Sequence, residues 1–332
     1  MEQFSDENRL LVADIGGTHA RFAFADASVG APSLTPLFAM ETNSFETFSD
    51  ALQEVLDETG RPIVSAAAIC GAGPVMPGTN GSQINMTNCP WTLRESDLTE
   101  KLNTKKVALV NDFAALAHAL QFFEADELRQ IGGGVVDNAG PKGVIGAGTG
   151  LGVAGLVPNG NASFALVDGE GGHADVAPAN ARELAIFERL LARFGSVTAE
   201  TVLSGAGLEA LHDALCELEG RPCEKVSAAE IAARAATGGE PLSAEAVVCF
   251  TNWLGSAAAN VALMLGATGG IYIAGGIVPK WGGLFDGNKF RTRFENRGKM
   301  ENYMQSIPTF VVTAPDPALK GLVEIAGNLS RS

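Results

Sequence analysis

A chain of 332 residues, 46% hydrophobic and 18% charged, has enough apolar material for about two cores and is too well supplied with it to be disordered. With 23 basic against 38 acidic residues its net charge is −15, and no Lys/Arg block longer than a pair interrupts this, which argues against nucleic acid or an anionic membrane as a partner. Five cysteines without a C-x-x-C pair read as reduced thiols of a cytoplasmic protein rather than a disulfide framework or a zinc site.

The opening MEQFSDENRL has no basic segment ahead of an apolar one, so no secretory signal is read there, and apolar runs such as 261–265 are too short to span a bilayer. Residues 9–15 read as a central strand and 21–25 alternate as a second, with Gly16-Gly17 making a tight turn between them. The spacing predicts a helix over 46–56 and an apolar strand over 63–70 that breaks into GAGPVMPGTNG. A buried strand at 106–110 meets Asn111-Asp112 and leads into a helix over 113–123. KGVIGAGTGLGVAGLV, at 142–157, repeats the strand, glycine turn, strand pattern. Helices follow at 181–193, 207–219, 227–236 and 243–266, then a short strand, IYIA, broken by Gly275-Gly276. A polar, basic region (281–304), a strand (309–314) and a terminal helix (318–326) close the chain. The pattern is α/β, with one strand-turn-strand opening used twice.

Three groups carry candidate chemistry. Gly16-Gly17-Thr18 matches neither the dinucleotide fingerprint, which must open a helix, nor the Walker loop, which needs G-K-[ST]. Its glycines nevertheless let backbone amides approach an anion, and Thr18 adds a hydroxyl. Asp14, a carboxylate in an apolar strand, must be hydrogen-bonded, paired or set beside a cation. Beside a phosphate its most useful partner is Mg²⁺, directly or through water; the alternative is that it caps its own turn. Gly148, Thr149 and Gly150 form the second such loop, and Gly275-Gly276 suits either a flat adenine or a plain tight turn. Asp112 falls at a helix N-terminus, where amides stabilise an anion or where it simply caps; Asn111 beside it suits a sugar or alcohol. Glu170 and His173, separated by glycines, suit hydroxyl recognition on a loop. The four histidines lack the H-E-x-x-H spacing of catalytic zinc, and His118 and His212 read as structural.

ADIGGTHARFAF, MTNCPW, LVNDFAALAHAL, GAGTGLGVAGLV, GEGGHADVAP, ETVLSGAGLEAL and IYIAGGIVPK, taken in this order and over nearly the whole chain, resemble the bacterial glucokinases, ATP-dependent sugar kinases of the sugar kinase, heat-shock chaperone and actin superfamily. The resemblance implies a two-domain actin-like ATPase (ribonuclease H-like) α/β fold with an interdomain cleft. A small domain would comprise 1–113 with about 315–332, and a large one 114–314. It also implies ATP, Mg²⁺ and glucose as ligands, and a homodimer. Asp112 becomes the general base for the 6-hydroxyl, with Asn88, Asn111, Asp112, Glu170, His173 and Glu200 on the sugar. Asp14, Gly16, Gly17, Thr18, Gly148, Thr149, Gly150, Gly275 and Gly276 lie on the nucleotide side. Glu200 enters only through the resemblance, since alone it reads as a helix residue before a turn. His19 stands where relatives commonly have Asn. The absence of cysteine from GGHADVAP implies no structural zinc, and a first strand beginning near residue 9 leaves no room for a helix-turn-helix arm. The motifs leave open a kinase for mannose, fructose or glucosamine, and a nucleotide-switched sugar sensor on the same fold.

Overall fold

Alternation along the first strand decides how the first half of the chain folds. In the computed structural model, which describes residues 8–27, 34–160 and 163–332, strand β1 is Arg9–Ile15. The opening segment read as lacking a signal lies largely outside these residues. Leu11, Ala13 and Ile15 of β1 point into a core with Phe22, Phe48, Leu52 and Trp91, while Leu10 and Val12 point the other way, against Leu319 and Leu322. Burial on both faces is what its unbroken apolar run requires. Each fully buried Leu or Phe contributes roughly 1.5–3 kcal/mol.

The chain divides into two units, 1–124 with 314–332, and 125–313. In the first, β2 (His19–Asp26) and β3 (Leu34–Glu41) run antiparallel beside β1, with β4 (Ala66–Gly71) parallel on its other side. A hairpin sheet of β5 (Val75–Gly78), β6 (Gly81–Asn85) and β7 (Thr92–Arg94) begins within the stretch read as a break and runs on past it. Its glycines, Pro77 and exposed Val75 and Met76 hide any period of two. β8 (Val107–Asn111) completes the main sheet in the order β3-β2-β1-β4-β8.

The helix expected over 113–123 is Asp112–Ala119, ended when Leu120 N–H closes on Ala117 O. It lies in the first unit, so the division falls at 124/125 and not at 113/114. The reason is its packing on the C-terminal helix Pro317–Arg331, so close that a Cβ on Gly321 would lie 1.8 Å from Ala115 O. Expected boundaries elsewhere shift slightly: the helix read at 46–56 is Phe48–Glu58, entered by a Thr47–Asp50 capping box, and Ile63 is exposed ahead of β4.

The second unit uses the same plan. β9 (Leu128–Ile131), β10 (Lys142–Ala147), β11 (Leu151–Pro158), β12 (Phe164–Gly169), β13 (Ile271–Ala274) and β14 (Thr309–Val312) stand in the order β12-β11-β10-β13-β14-β9. As in the first sheet, three antiparallel strands lead into two parallel steps; the antiparallel edge strand β9 is an addition. Helices Ala181–Phe194, Gly205–Leu218, Ala228–Thr237 and Pro241–Leu265 cover it. The last is long and apolar enough to cross a membrane by length and composition, yet 67% of its most apolar window is buried inside its own unit, as in a core helix. The basic region 281–304 contains helix Gly287–Glu295, whose Phe290 and Phe294 are buried four residues apart. Buried Arg291 donates to Ile307 O at 2.7 Å and to Met304 O and Gln305 O at 3.0 Å, satisfying the end of helix Glu301–Ser306.

Gly321→Ala is expected to lower the urea midpoint by the equivalent of about 1–3 kcal/mol or more, because neither helix backbone has room to yield. An unchanged midpoint would show that the two helices separate freely.

Candidate functional site

In the first unit the carboxyl ends of β1, β4 and β8 lie side by side, the position where open α/β sheets bind ligands. β1 delivers Asp14 and the turn Gly16–Thr18, closed by Gly16 N–H to His19 O at 2.9 Å. The turn is braced from β3's end, where Thr42 Oγ1 donates to Gly17 O at 2.9 Å and Thr42 N–H to Thr18 O at 3.0 Å. Thr18 and His19 are exposed. Gly17 brings Asn88 into the group: a Cβ on Gly17 would stand 2.9 Å from Asn88 Cβ, so only glycine admits that contact.

Asp14 is the electrostatic centre. Its Oδ1 accepts from Cys70 Sγ at 3.4 Å, and its Oδ2 lies 3.8 Å from Arg21 Nη1, directly across the hairpin. Arg21 is held more firmly elsewhere, its Nε 3.0 Å from Asp316 Oδ1. Burial leads in raising the Asp14 carboxyl above the ordinary carboxylate range; the Cys70 hydrogen bond and Arg21 only partly oppose it. The carboxylate is therefore short of positive charge. Cys70, buried and flanked by Asp14 and Asp112, has its thiol pushed well above the usual value, chiefly by burial.

At the end of β8, Asn111 is the helix cap. Its Oδ1 accepts from Phe113 N–H at 2.8 Å and its Nδ2 donates to Gly73 O at 3.2 Å. Asp112 is the first helical residue, and its Oδ1 also receives Phe113 N–H, at 3.1 Å. Of the two roles open to Asp112, the cap belongs mainly to its neighbour.

The second unit assembles its own group. Gly148 N–H closes the β10–β11 turn on Gly150 O at 2.8 Å, and Gly205 N–H donates to Gly148 O at 2.9 Å. Glu200, in the first turn of helix Ala199–Val202, accepts Leu151 N–H on Oε2 at 2.8 Å; a Cβ on Gly150 would strike that oxygen at 2.5 Å. His173 stands between two carboxylates, Nε2 3.7 Å from Glu200 Oε1 and Nδ1 3.8 Å from Glu170 Oε2. Gly275, at φ 82°, turns the chain after β13 where a Cβ would lie 2.5 Å from Ala147 O, and Gly276 N is the nearest outside atom to a Cβ on Gly148. Thr149, Gly275 and Gly276 are exposed. Glu170, His173, Glu200 and both glycine turns thus form one neighbourhood.

The model of the glucokinase family matches residues 11–329. The chain belongs to the glucokinase family. Glucokinases of Chromobacterium violaceum and Aromatoleum aromaticum are 43% and 44% identical to it, over 94% and 98% of this chain and 87% and 96% of theirs. The crystal structure of a glucokinase from an Antarctic psychrotroph, 31% identical, superposes with a TM-score of 0.87 over 98% of this chain and 99% of its own. A Balamuthia mandrillaris glucokinase solved in complex with glucose, 22% identical, shares the fold at a TM-score of 0.79, over 96% of this chain and 93% of its own. The fold is accordingly the actin-like ATPase fold of the sugar kinases.

Within this glucokinase chain, three side chains that support the site were not singled out in the sequence. Arg21 reads as an outward residue of an alternating strand, Cys70 as core, and Asp316 as part of a turn before the last helix. Only the pairing of Asp14 with Arg21 across a two-stranded turn was available as a signal. Among the described residues no group of three or more His, Cys, Asp or Glu side chains is arranged to hold a metal ion.

At about pH 8, close to the ordinary thiol value, Cys70 is expected to stay protonated and inert toward a thiol reagent in the folded enzyme and to react on denaturation. The raised value means that the thiolate appears only at pH well above this. Rapid labelling of Cys70 in native protein, located by peptide mass, would contradict the burial described.

Proposed function

We propose that the protein transfers the γ-phosphoryl group of ATP to the 6-hydroxyl of D-glucose, with Asp112 as general base. The observation that carries this reading is Asp112 itself, a carboxylate held one residue beyond the end of β8 while Asn111 caps the helix, in a chain matched to glucokinases from 11 to 329. In the transfer a bond forms between the sugar O6 and the γ-phosphorus, the bond from that phosphorus to the β-bridging oxygen breaks, and ADP leaves. A primary alcohol is too weak an acid to ionise in advance, so Asp112 orients the hydroxyl early and accepts its proton late.

Glu170, His173 and Glu200 are proposed to bind sugar hydroxyls. The carboxylates accept, and the imidazole between them is oriented by both. Asn111 and Asn88 complete the sugar side. The turns at 16–18 and 148–150 present backbone amides and the Thr18 and Thr149 hydroxyls to phosphate oxygens, and Gly275-Gly276 lies against the nucleoside. Asp14 fits a Mg²⁺ ion on the evidence of its own environment, being a partly buried carboxylate whose charge Arg21 does not fully offset. Mg²⁺, when bound with the nucleotide, neutralises phosphate charge as it builds on the transferring group. Asp14 would hold it directly or through water, since Mg²⁺ needs only one or two protein carboxylates. Operation in the cytoplasm, consistent with five free cysteines, and as a homodimer belongs to the same reading.

Asp112→Asn is expected to cut kcat by about 10²–10⁴ while leaving calorimetric glucose affinity within a few-fold of wild type. Near-normal turnover in the folded variant would reject the base assignment. Gly150→Ala, which displaces the Glu200 carboxylate, should raise the glucose KM roughly tenfold, the scale of one charged hydrogen bond. A KM that moves for ATP alone would assign Glu200 to the phosphate loop instead. A hexose panel read by sugar-dependent ADP release compares glucose with mannose, fructose and glucosamine; no release with any of them would leave a sugar sensor as the reading.

A further inference from the structure

Far along the chain from the phosphate loops, four side chains stand in series at the carboxyl end of helix Gly205–Leu218. His212 is buried, with Nε2 3.5 Å from Glu240 Oε2 and Nδ1 3.9 Å from the Sγ of Cys216, one turn further on. Glu240 is itself fixed as the cap of helix Pro241–Leu265, where its carboxylate accepts Ser243 N–H, and Arg221 Nη1 lies 3.5 Å from its other oxygen. Beyond the helix, Gly220 turns at φ 61° and Arg221 N–H returns to Cys216 O at 2.9 Å, folding the following residues back over the last turn. This lays Cys223 on the helix end, its Sγ donating to Asp213 O at 3.5 Å, three residues and so nearly one turn from Cys216 on the same helix face. Cys216 is buried and Cys223 exposed.

An exposed thiol laid on the helix face of a buried one, the latter facing an imidazole beside a helix-capping carboxylate, is an arrangement that neither helix packing nor the proposed kinase chemistry uses. We propose that Cys216 and Cys223 form a reversible intramolecular disulfide on exposure to hydroperoxides, Cys223 reacting first and His212 accepting the proton of Cys216. The Cys223 thiolate attacks the terminal peroxide oxygen; a sulfur–oxygen bond forms, the oxygen–oxygen bond breaks, and the alcohol or water leaves with a solvent proton. Cys223 is then a sulfenic acid, oxidised by two electrons as the peroxide is reduced. His212 Nδ1, in its unprotonated tautomer, takes the Cys216 proton. The Cys216 sulfur attacks that of Cys223, the sulfur–oxygen bond breaks, and hydroxide departs as water with that proton. Two thiols and one hydroperoxide thus give one disulfide, one alcohol and one water. The order of attack follows the environments: burial pushes the Cys216 thiol up to about 11, with Cys223 adding to the rise, so it cannot begin the reaction and needs a proton acceptor to finish it. Cys70 and Cys249 are buried, the first with its thiol donating to Asp14, and burial holds the Cys249 thiol up at about 12.

The test uses the full chain, treated with hydrogen peroxide, then denatured in N-ethylmaleimide so that every remaining thiol is alkylated, digested without reductant and read by mass spectrometry. The expected product is a peptide cross-linked between Cys216 and Cys223 in the monomeric chain, lost on treatment with dithiothreitol. C223S should abolish the cross-link while leaving kcat without peroxide unchanged. Cys216 remaining fully alkylatable after Cys223 has been oxidised, or bridging of Cys223 only between two chains, would overturn the proposal whether or not any His212 variant folds. In folded H212Q, sulfenic acid on Cys223, trapped with dimedone, should persist because closure is about a hundredfold slower, the lower scale for loss of a positioned proton acceptor. Closure at the wild-type rate would remove His212 from the step.

Discussion

A carboxylate at the end of a buried strand is the constraint around which the first unit is arranged. Asp14 cannot be left bare among Val12, Ala13 and Ile15, yet the neighbours that accommodate it do so incompletely: a thiol donor from β4 and a guanidinium 3.8 Å away. Arg21 is shared with Asp316, the residue that starts the last helix in a left-handed conformation, φ 44°, a strain of the order of 1–3 kcal/mol. The C-terminal segment is therefore tied to the first hairpin by charge as well as by the packing of Leu319 and Leu322. The last helix also packs, Gly321 against Ala115, on the helix that Asp112 begins. One charge so links the chain's two ends to the residue proposed as base.

The repeat of the sheet plan shows how two similar turns divide their work. Counting back from the turn glycines, the Asp14–Arg21 pair of the first hairpin corresponds to Gly146–Gly152 in the second, each pair sharing one register position. The first turn thus has a charged pair beneath it, whereas the second has only glycines at that position and takes its carboxylate, Glu200, from a separate helix. Duplicated topology supplied two amide-lined turns, and their different chemistry comes from which neighbours were given charge.

Much of this was legible because it rests on short-range rules. The glycine turns, the apolar strands on either side and the junction at Asn111-Asp112 each announce themselves within a few residues, and their order along the chain carries the family. What escaped depends on contacts distant in sequence or on mixed patterns. Glu200 lies in a four-residue helix and gains meaning only from Leu151 and His173. Cys70 looks like any core residue until β4 sets it between two carboxylates. The hairpin sheet at 75–94 is too short and too rich in glycine and proline to show alternation, and edge strands β9 and β12 are half exposed. The helix at 287–295 hides two buried phenylalanines in a charged sequence.

Glu200 also bears on how the proposed reaction avoids hydrolysing ATP. Its carboxylate serves two groups within one unit, the amide of Leu151 at the end of the β10–β11 turn and the imidazole of His173. The same turn is tied through Gly148 O to Gly205, at the start of the helix that follows. If Glu200 takes a sugar hydroxyl, as proposed, sugar binding loads and repositions the carboxylate that anchors the turn, so the proposed phosphate contacts of that turn would respond to the acceptor. Water can touch His173 or Glu200 but lacks the further hydroxyls of a sugar, so it brings far less binding energy to the change. The selectivity of a kinase for its acceptor over water then begins in a single carboxylate, before any larger rearrangement is invoked.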